Sequence, residues 1–177
     1  EFRRVLFRSA GTDFVARHHR AIVILGFAIL GIAVVGGSYW YPELLPLRLS
    51  FHALGFAYNW PLLPGGRRIK ALYFFKNTAS AIGFMLTVFG FPLAQVLSGR
   101  APLADGITIA TLVVAGTFFF LFELSYEVLY DLRDAPGDAV AGVRTYAVVH
   151  GEAGAVRIVD GLLVVSSLIL IGGYVAE

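Results

Sequence analysis

The chain has 177 residues, of which 58% are hydrophobic and 15% are charged, and its formal net charge is +2. Soluble domains are about half apolar and about a quarter charged, so this composition excludes an ordinary soluble domain and indicates an integral membrane protein. The chain contains no Cys, which excludes disulfides, a thiolate nucleophile and Cys-ligated zinc. Its basic residues lie in short loops between apolar runs, so we interpret them as topology signals and predict no nucleic-acid partner.

The first nine residues join abruptly to the sequence that follows them. They are basic and lack the long apolar core of a signal peptide. The last four, Leu6 to Ser9, can be encoded by the end of a common sequencing-adapter oligonucleotide. We therefore interpret residues 1–9 as an assembly artefact and residues 10–177 as a partial membrane domain, an internal fragment of a longer protein.

Five apolar segments follow and predict an all-α fold, a polytopic bundle of transmembrane helices. The predicted helices cover residues 21–39, 44–58, 77–97, 107–130 and 155–175. The first segment is uncharged and about long enough to cross the hydrocarbon core. The second is short and is interrupted by Pro46, Arg48 and His52. No strand-like alternation or internal repeat competes with this interpretation.

The charges in the loops predict the orientation of the bundle. If all five segments cross the membrane, every Arg and Lys except Arg48 and Arg100 lies towards the same side. The positive-inside rule makes that side cytoplasmic. We therefore expect a multi-pass protein in a bacterial inner membrane. We expect the acidic stretch from Asp131 to Asp138 and the basic loop that carries Arg67, Arg68 and Lys70 to share its cytoplasmic face.

A column of acidic residues begins near the end of the fourth segment. Glu123, Glu127, Asp131, Asp134 and Asp138 are spaced 4, 4, 3 and 4 apart, and on a helix this spacing aligns side chains along one face. Like charges repel, and a bound divalent cation relieves the repulsion. Mg²⁺ prefers hard oxygen ligands and is typically held by one or two carboxylates together with water and phosphate.

The alternative for these acids is a solvated cytosolic turn. Pro136-Gly137 precedes Asp138, and this pair predicts a helix break that would move Asp138 out of line. Spacing alone therefore leaves a metal site and a solvated turn as competing hypotheses.

The sequence around these acids matches a longer pattern, D-x-x-D-x-x-G-D-x-x-x-G-x-x-T-x-P-V-x-x-G. The positions in register are Asp131, Asp134, Gly137, Asp138, Gly142, Thr145, Val148 and Gly151, whereas Ala147 replaces the Pro. This stretch resembles the second aspartate-rich motif of the UbiA-type intramembrane prenyltransferases. The basic stretch from Tyr58 to Asn77 is similar to the Tyr/Lys-rich cytosolic loop of that family.

The resemblance implies a bundle of nine helices, about five of them in this chain. It also implies Mg²⁺-dependent transfer of a polyprenyl group from a polyprenyl diphosphate to an aromatic or other lipid-pathway acceptor. By this resemblance Asp131, Asp134 and Asp138 are the catalytic, metal-binding residues. The substrate-binding residues it implies are Tyr58, Arg67, Arg68, Lys70, Lys76, Asn77, Tyr126, Tyr130 and Arg144. Among these, Tyr126 and Tyr130 would shield the allylic cation with their ring faces.

One part of the family pattern has no counterpart in this sequence. The first aspartate motif, N-D-x-x-D-x-x-x-D, is absent, and Asp13 does not match it. We expect truncation to explain the loss and this fragment to be inactive alone. The alternatives are an ion-coupled membrane carrier and a non-catalytic membrane protein. Carriers tend to place acids near the membrane midplane, within repeats that contain broken helices, whereas these acids cluster towards one face.

Overall fold

The computed structural model describes residues 10–176 of the chain. It is 83% helical, with no strand among the described residues, which confirms the predicted all-α membrane fold. The suspected adapter segment, residues 1–9, lies outside the described residues. The chain divides into two compact units, with the boundary between Leu45 and Pro46.

The first unit contains a short helix and one long apolar helix. Helix α1 covers Ala10–Arg17, helix α2 covers His19–Trp40, and a 3₁₀ turn follows at Pro42–Leu44. Helix α2 confirms the predicted helix at residues 21–39. Its apolar side chains are exposed in the structure, Ile32 by 73%, as expected for a helix whose solvent is lipid.

The second unit holds the acidic motif. Its helices are α3 (Leu45–Asn59), α4 (Tyr73–Met85), α5 (Phe91–Leu97), α6 (Ile109–Val140) and α7 (Tyr146–Ala176). A π turn at Leu86–Gly90 joins α4 to α5, so the two form one apolar helix from Tyr73 to Leu97. This element contains the predicted helix at residues 77–97.

The prediction of five membrane-crossing helices is wrong in its count. Four helices of the described chain are long and apolar enough to cross: His19–Trp40, Tyr73–Leu97, Ile109–Val140 and Tyr146–Ala176. The predicted segment at residues 44–58 is helical, but α3 has only 15 residues. At 1.5 Å per residue such a helix is about 22 Å long, short of the hydrocarbon core of roughly 30 Å.

Helix α6 ends ten residues later than predicted, at Val140. The predicted break at Pro136-Gly137 is wrong, because proline removes only one backbone bond and the helix continues through it. The helix ends where Gly142 takes a φ of 68°. There the Val143 N–H donates to the Asp138 carbonyl over 2.9 Å and the Gly142 N–H to the Ala139 carbonyl over 3.2 Å. This pair of bonds is a Schellman motif.

Helix α7 begins nine residues before the predicted position of 155. The Thr145 hydroxyl accepts the Val148 N–H over 3.3 Å and caps its first turn. Gly151 then interrupts the helix with a φ of 70° and a ψ of 173°. The long helical part after Gly151 contains the predicted helix at residues 155–175.

Helices α4, α6 and α7 pack together around a small core. Its buried residues are Val128, Tyr146, Ala147 and Ala155. Tyr73 from α4 and Leu132 from α6 pack against them. Helix α3 packs on α4 where Phe51 and Leu54 face Gly83. The second unit is therefore held together near the acidic motif by contacts among its helices.

Candidate functional site

Two polar stripes meet between α4 and α6. The Ser80 hydroxyl donates to Glu127 Oε1 over 2.6 Å, and Asn77 Nδ2 donates to Asp131 Oδ2 over 2.9 Å. Residue numbers fall along α4, from Ser80 to Asn77, as they rise along α6, from Glu127 to Asp131, so the two stripes are antiparallel. We call this line of paired side chains the polar seam.

Lys76 lies at one end of the polar seam, on the side of the C-terminus of α6. Its ammonium contacts Asp131 Oδ1 and lies 3.2 Å from Asp138 Oδ2. The Lys76, Asp131 and Asp138 side chains are 16%, 4% and 16% exposed. Asp131 and Asp138 are seven residues apart, two helical turns, and therefore face the same way. The two carboxylates converge on one shared cation.

Asn77 fixes the orientation of Asp131 within this cluster. Its side chain is fully buried, and its amide donates to the Asp131 oxygen that Lys76 does not contact. Its own Oδ1 is buried and has no hydrogen-bond partner in the described part of the chain. A buried amide oxygen without a donor is unusual. The amide of Asn77 therefore has one buried acceptor without a donor among the described residues.

Asp134 does not join Asp131 and Asp138. Its side chain is 53% exposed and accepts the Arg133 Nε–H over 2.9 Å. It is three residues from Asp131, which rotates it about 60° from the direction of Asp131 on a helix. Among the residues that the structure describes, no three His, Asp or Glu side chains come together to hold a metal ion.

The basic loop between α3 and α4 lies apart from the polar seam. Arg67 and Arg68 are exposed, and Lys70 donates to Asn59 Oδ1 over 3.2 Å. No hydrogen bond or ion pair joins these three residues to the seam within the described chain. Of the predicted substrate-binding residues, Lys76 and Asn77 are the two that hydrogen-bond to the aspartates within the described chain.

Tyr58 lies in a cavity that adjoins the seam. Burial raises the pKa of its hydroxyl although nearby Lys76 acts in the opposite direction, so it is a neutral phenol at physiological pH. The cavity has a volume of about 320 Å³ between α3, α4 and α6. It is mainly apolar, with Ser80 and Glu123 among its lining residues. Sequence reasoning did not identify this cavity, because its lining comes from three helices.

Tyr126 and Tyr130 lie on the exposed side of α6. Their rings meet edge to face at 4.8 Å and their hydroxyl oxygens are 3.3 Å apart. Arg133 covers Tyr130, with its guanidinium carbon 4.9 Å from the ring centroid. In this chain the pair therefore faces away from the buried aspartates.

A second cluster, missed from the sequence, links α4 to the start of α7. The Tyr73 hydroxyl hydrogen-bonds His150 Nε2, and the Tyr73 ring lies 5.1 Å from that of Tyr146. Arg144, a predicted substrate-binding residue, is exposed, with its guanidinium carbon 5.9 Å from the Tyr73 ring centroid. The sequence did contain one indication of this cluster. Tyr73 lies one helical turn before Lys76 and Asn77, so the three residues share a helix face.

Comparisons with protein-family models, with curated proteins and with solved structures find no match for this chain. The resemblance to the prenyltransferases therefore rests on the sequence motifs alone.

Proposed function

We propose that this chain is part of a UbiA-type prenyltransferase, which transfers a polyprenyl group from a polyprenyl diphosphate to an aromatic or other lipid-pathway acceptor with Mg²⁺. The proposal is carried by one observation: the Asp131 and Asp138 carboxylates converge on the Lys76 ammonium, beside the buried side chain of Asn77. Charged groups within membrane helices are costly and usually functional. A bacterial inner membrane, with this site at the cytoplasmic face, is part of the proposal.

The residues present are suited to a divalent cation. Asp131 and Asp138 supply two carboxylates, the number that Mg²⁺ commonly takes from a protein when phosphate and water complete its shell. Asp134, the third predicted ligand, is exposed and paired with Arg133, so we assign it a secondary role. When bound, the cation would neutralise charge on the diphosphate and make it a better leaving group.

The protein's own residues would position the diphosphate and stabilise its charge. Asn77 holds Asp131 in one orientation, which reduces the reorganisation that binding requires. Lys76 is the cation closest to the aspartates, and Arg67, Arg68 and Lys70 lie in the loop that leads into α4. We propose that these loop residues and Arg144 contact the phosphates from the solvent side.

The first test is Mg²⁺-dependent binding of farnesyl diphosphate to the chain in nanodiscs, measured by isothermal titration calorimetry. We expect Asp131→Asn and Asp138→Asn each to weaken binding by roughly tenfold or more, because a charged ligand interaction is lost. Asp134→Asn is the matched control, and we expect a smaller loss.

Three outcomes of this titration would oppose the proposal in different ways. Binding that is unchanged by Mg²⁺ removal would sink the metal-dependent function. A larger loss in Asp134→Asn than in Asp138→Asn would contradict our assignment of the two principal carboxylates. Equal binding in all three variants would show that the diphosphate is held elsewhere.

A further inference from the structure

The arrangement of Lys76 deepens the proposed cation site. An ammonium group already occupies the position between Asp131 and Asp138, in contact with one carboxylate and 3.2 Å from the other. Two like charges on one helix face repel each other unless a cation separates them. Lys76 supplies that cation from within the chain.

We propose that Lys76 is an exchangeable internal counter-ion, which a divalent cation displaces when it binds to Asp131 and Asp138. This inference rests on the cation site of the proposed function and does not depend on prenyl transfer. Lys76 is a positioning residue in the absence of the cation, since it neutralises the two carboxylates and holds both of them around one point.

The exchange follows from the charges that the site would hold. Lys76 contacts Asp131 Oδ1, the oxygen that does not accept the Asn77 amide, so this oxygen is the more open of the two to a cation once the ammonium leaves. A divalent cation at the same oxygen would bring two positive charges into contact within a partly buried site, where repulsion is strong. The ammonium and the divalent cation therefore exclude each other.

The displaced ammonium needs a new acceptor. Within the described chain, its hydrogen-bond acceptors are Asp131 and Asp138. A phosphate oxygen bound to the same cation would provide one, because an ammonium donates to phosphate as a compact charge. Cation binding and phosphate binding would then favour each other through a single side chain.

The chain contains its own control for this proposal, because Lys70 and Lys76 are its two lysines. Lys70 bonds Asn59 in the basic loop and has no contact with the aspartates. Reductive methylation of the wild-type chain, followed by mass spectrometry, reports both amines in one sample. This first measurement uses no variant that leaves the two aspartates unpaired.

We expect methylation of Lys76 relative to Lys70 to rise by about threefold or more when Mn²⁺ is added after EDTA treatment, because the cation selects the released state. A ratio that stays constant at saturating Mn²⁺ would show that Lys76 is a fixed structural bridge. A high ratio in EDTA would show that the bridge does not form.

Electron paramagnetic resonance measures the affinity for Mn²⁺ and tests the exchange of Lys76 separately from the existence of the cation site. We expect Lys76→Met to bind Mn²⁺ about tenfold more tightly than the wild type, whereas Lys70→Met stays within about twofold. Equal binding by the two variants would overturn the exchange but leave the site. Absence of Mn²⁺ binding by the wild-type chain would overturn both proposals.

Discussion

Three residues of the motif have a backbone role that is separate from chemistry. Gly142 ends α6 at a φ of 68°, and Thr145 caps the first turn of α7. Gly151 interrupts α7 at a φ and ψ that only glycine adopts easily. Gly142 and Thr145 thus form the tight connection from α6 into α7, Gly151 kinks α7 after its first turn, and the aspartates supply the charge.

A substitution at Gly151 tests this backbone role. We expect Gly151→Ala to lower the free energy of unfolding by about 1–3 kcal/mol, because a side chain strains the backbone at its φ of 70°. Thermal unfolding in detergent measures the effect. The control is Gly161→Ala in the same helix, where the added methyl group meets nothing within 4 Å and alanine favours the helix by up to about 1 kcal/mol. Equal midpoints for the two variants would contradict the role of Gly151.

Individual residues also show where sequence reasoning succeeded and where it did not. The spacing of Asp131 and Asp138 fits one helix face, but the break expected at Pro136-Gly137 would have moved Asp138 out of line. The helix continues through Pro136, so the two residues do share a face. The separation of Asp134 from them was not predictable from spacing, since it lies only about 60° away. The position of the neighbouring α4 determined which of the three carboxylates became buried.

At the scale of elements, the polar face of α6 is stable because α4 offers matching partners. Glu127 accepts a hydrogen bond from Ser80, and Asp131 accepts one from Asn77. Each of these two acids therefore has a donor on α4 at the matching position along the helix. Burial of a carboxylate without such a donor would cost several kcal/mol. The sequence contained both stripes, but their antiparallel register depends on how the two helices pack.

The contact between α6 and α7 depends on a second glycine. A methyl group at Gly173 would lie 2.5 Å from Val114 Cγ1, so we expect Gly173→Ala to destabilise the chain by about 1–3 kcal/mol through overpacking. Thermal unfolding in detergent again provides the measurement. Gly172→Ala is the control, because its added methyl group meets nothing within 4 Å.

A compensating substitution makes this prediction specific to the helix contact. Val114→Ala removes the side chain that the new methyl group would strike, so the double variant should recover part of the loss. If the double variant unfolds no later than Gly173→Ala alone, the close approach of α6 and α7 at this point is disproved.

At the scale of the whole molecule, the number of membrane crossings decides which loops share a face. The helices Tyr73–Leu97 and Ile109–Val140 both have the length and composition of a crossing. If both cross, the loop before the first and the loop after the second emerge on the same side. This holds whether or not α3 crosses, so the basic loop and the end of α6 share a face in either case.

Cysteine labelling tests this arrangement, because the chain has no native Cys. We expect Leu62→Cys and Ala141→Cys to react with a membrane-impermeant maleimide in inverted vesicles, and Asp105→Cys to react in intact spheroplasts. This pattern follows if the basic side is cytoplasmic. Opposite labelling of Leu62→Cys and Ala141→Cys would contradict the two crossings, whereas full reversal of the pattern would contradict the orientation alone.

The sequence by itself determined the membrane class, the all-α fold and the location of the long apolar helices. These properties follow from composition and from the length of uncharged runs, which each segment carries independently of its neighbours. The shortness of α3 was also visible in the predicted segment, which has the same length. Only the tertiary structure decided that α6 continues past Pro136 and that Lys76 and Asn77 are the partners of Asp131. Such features depend on packing between distant segments, and periodicity within one segment contains no information about the side chains that a neighbouring helix brings to it.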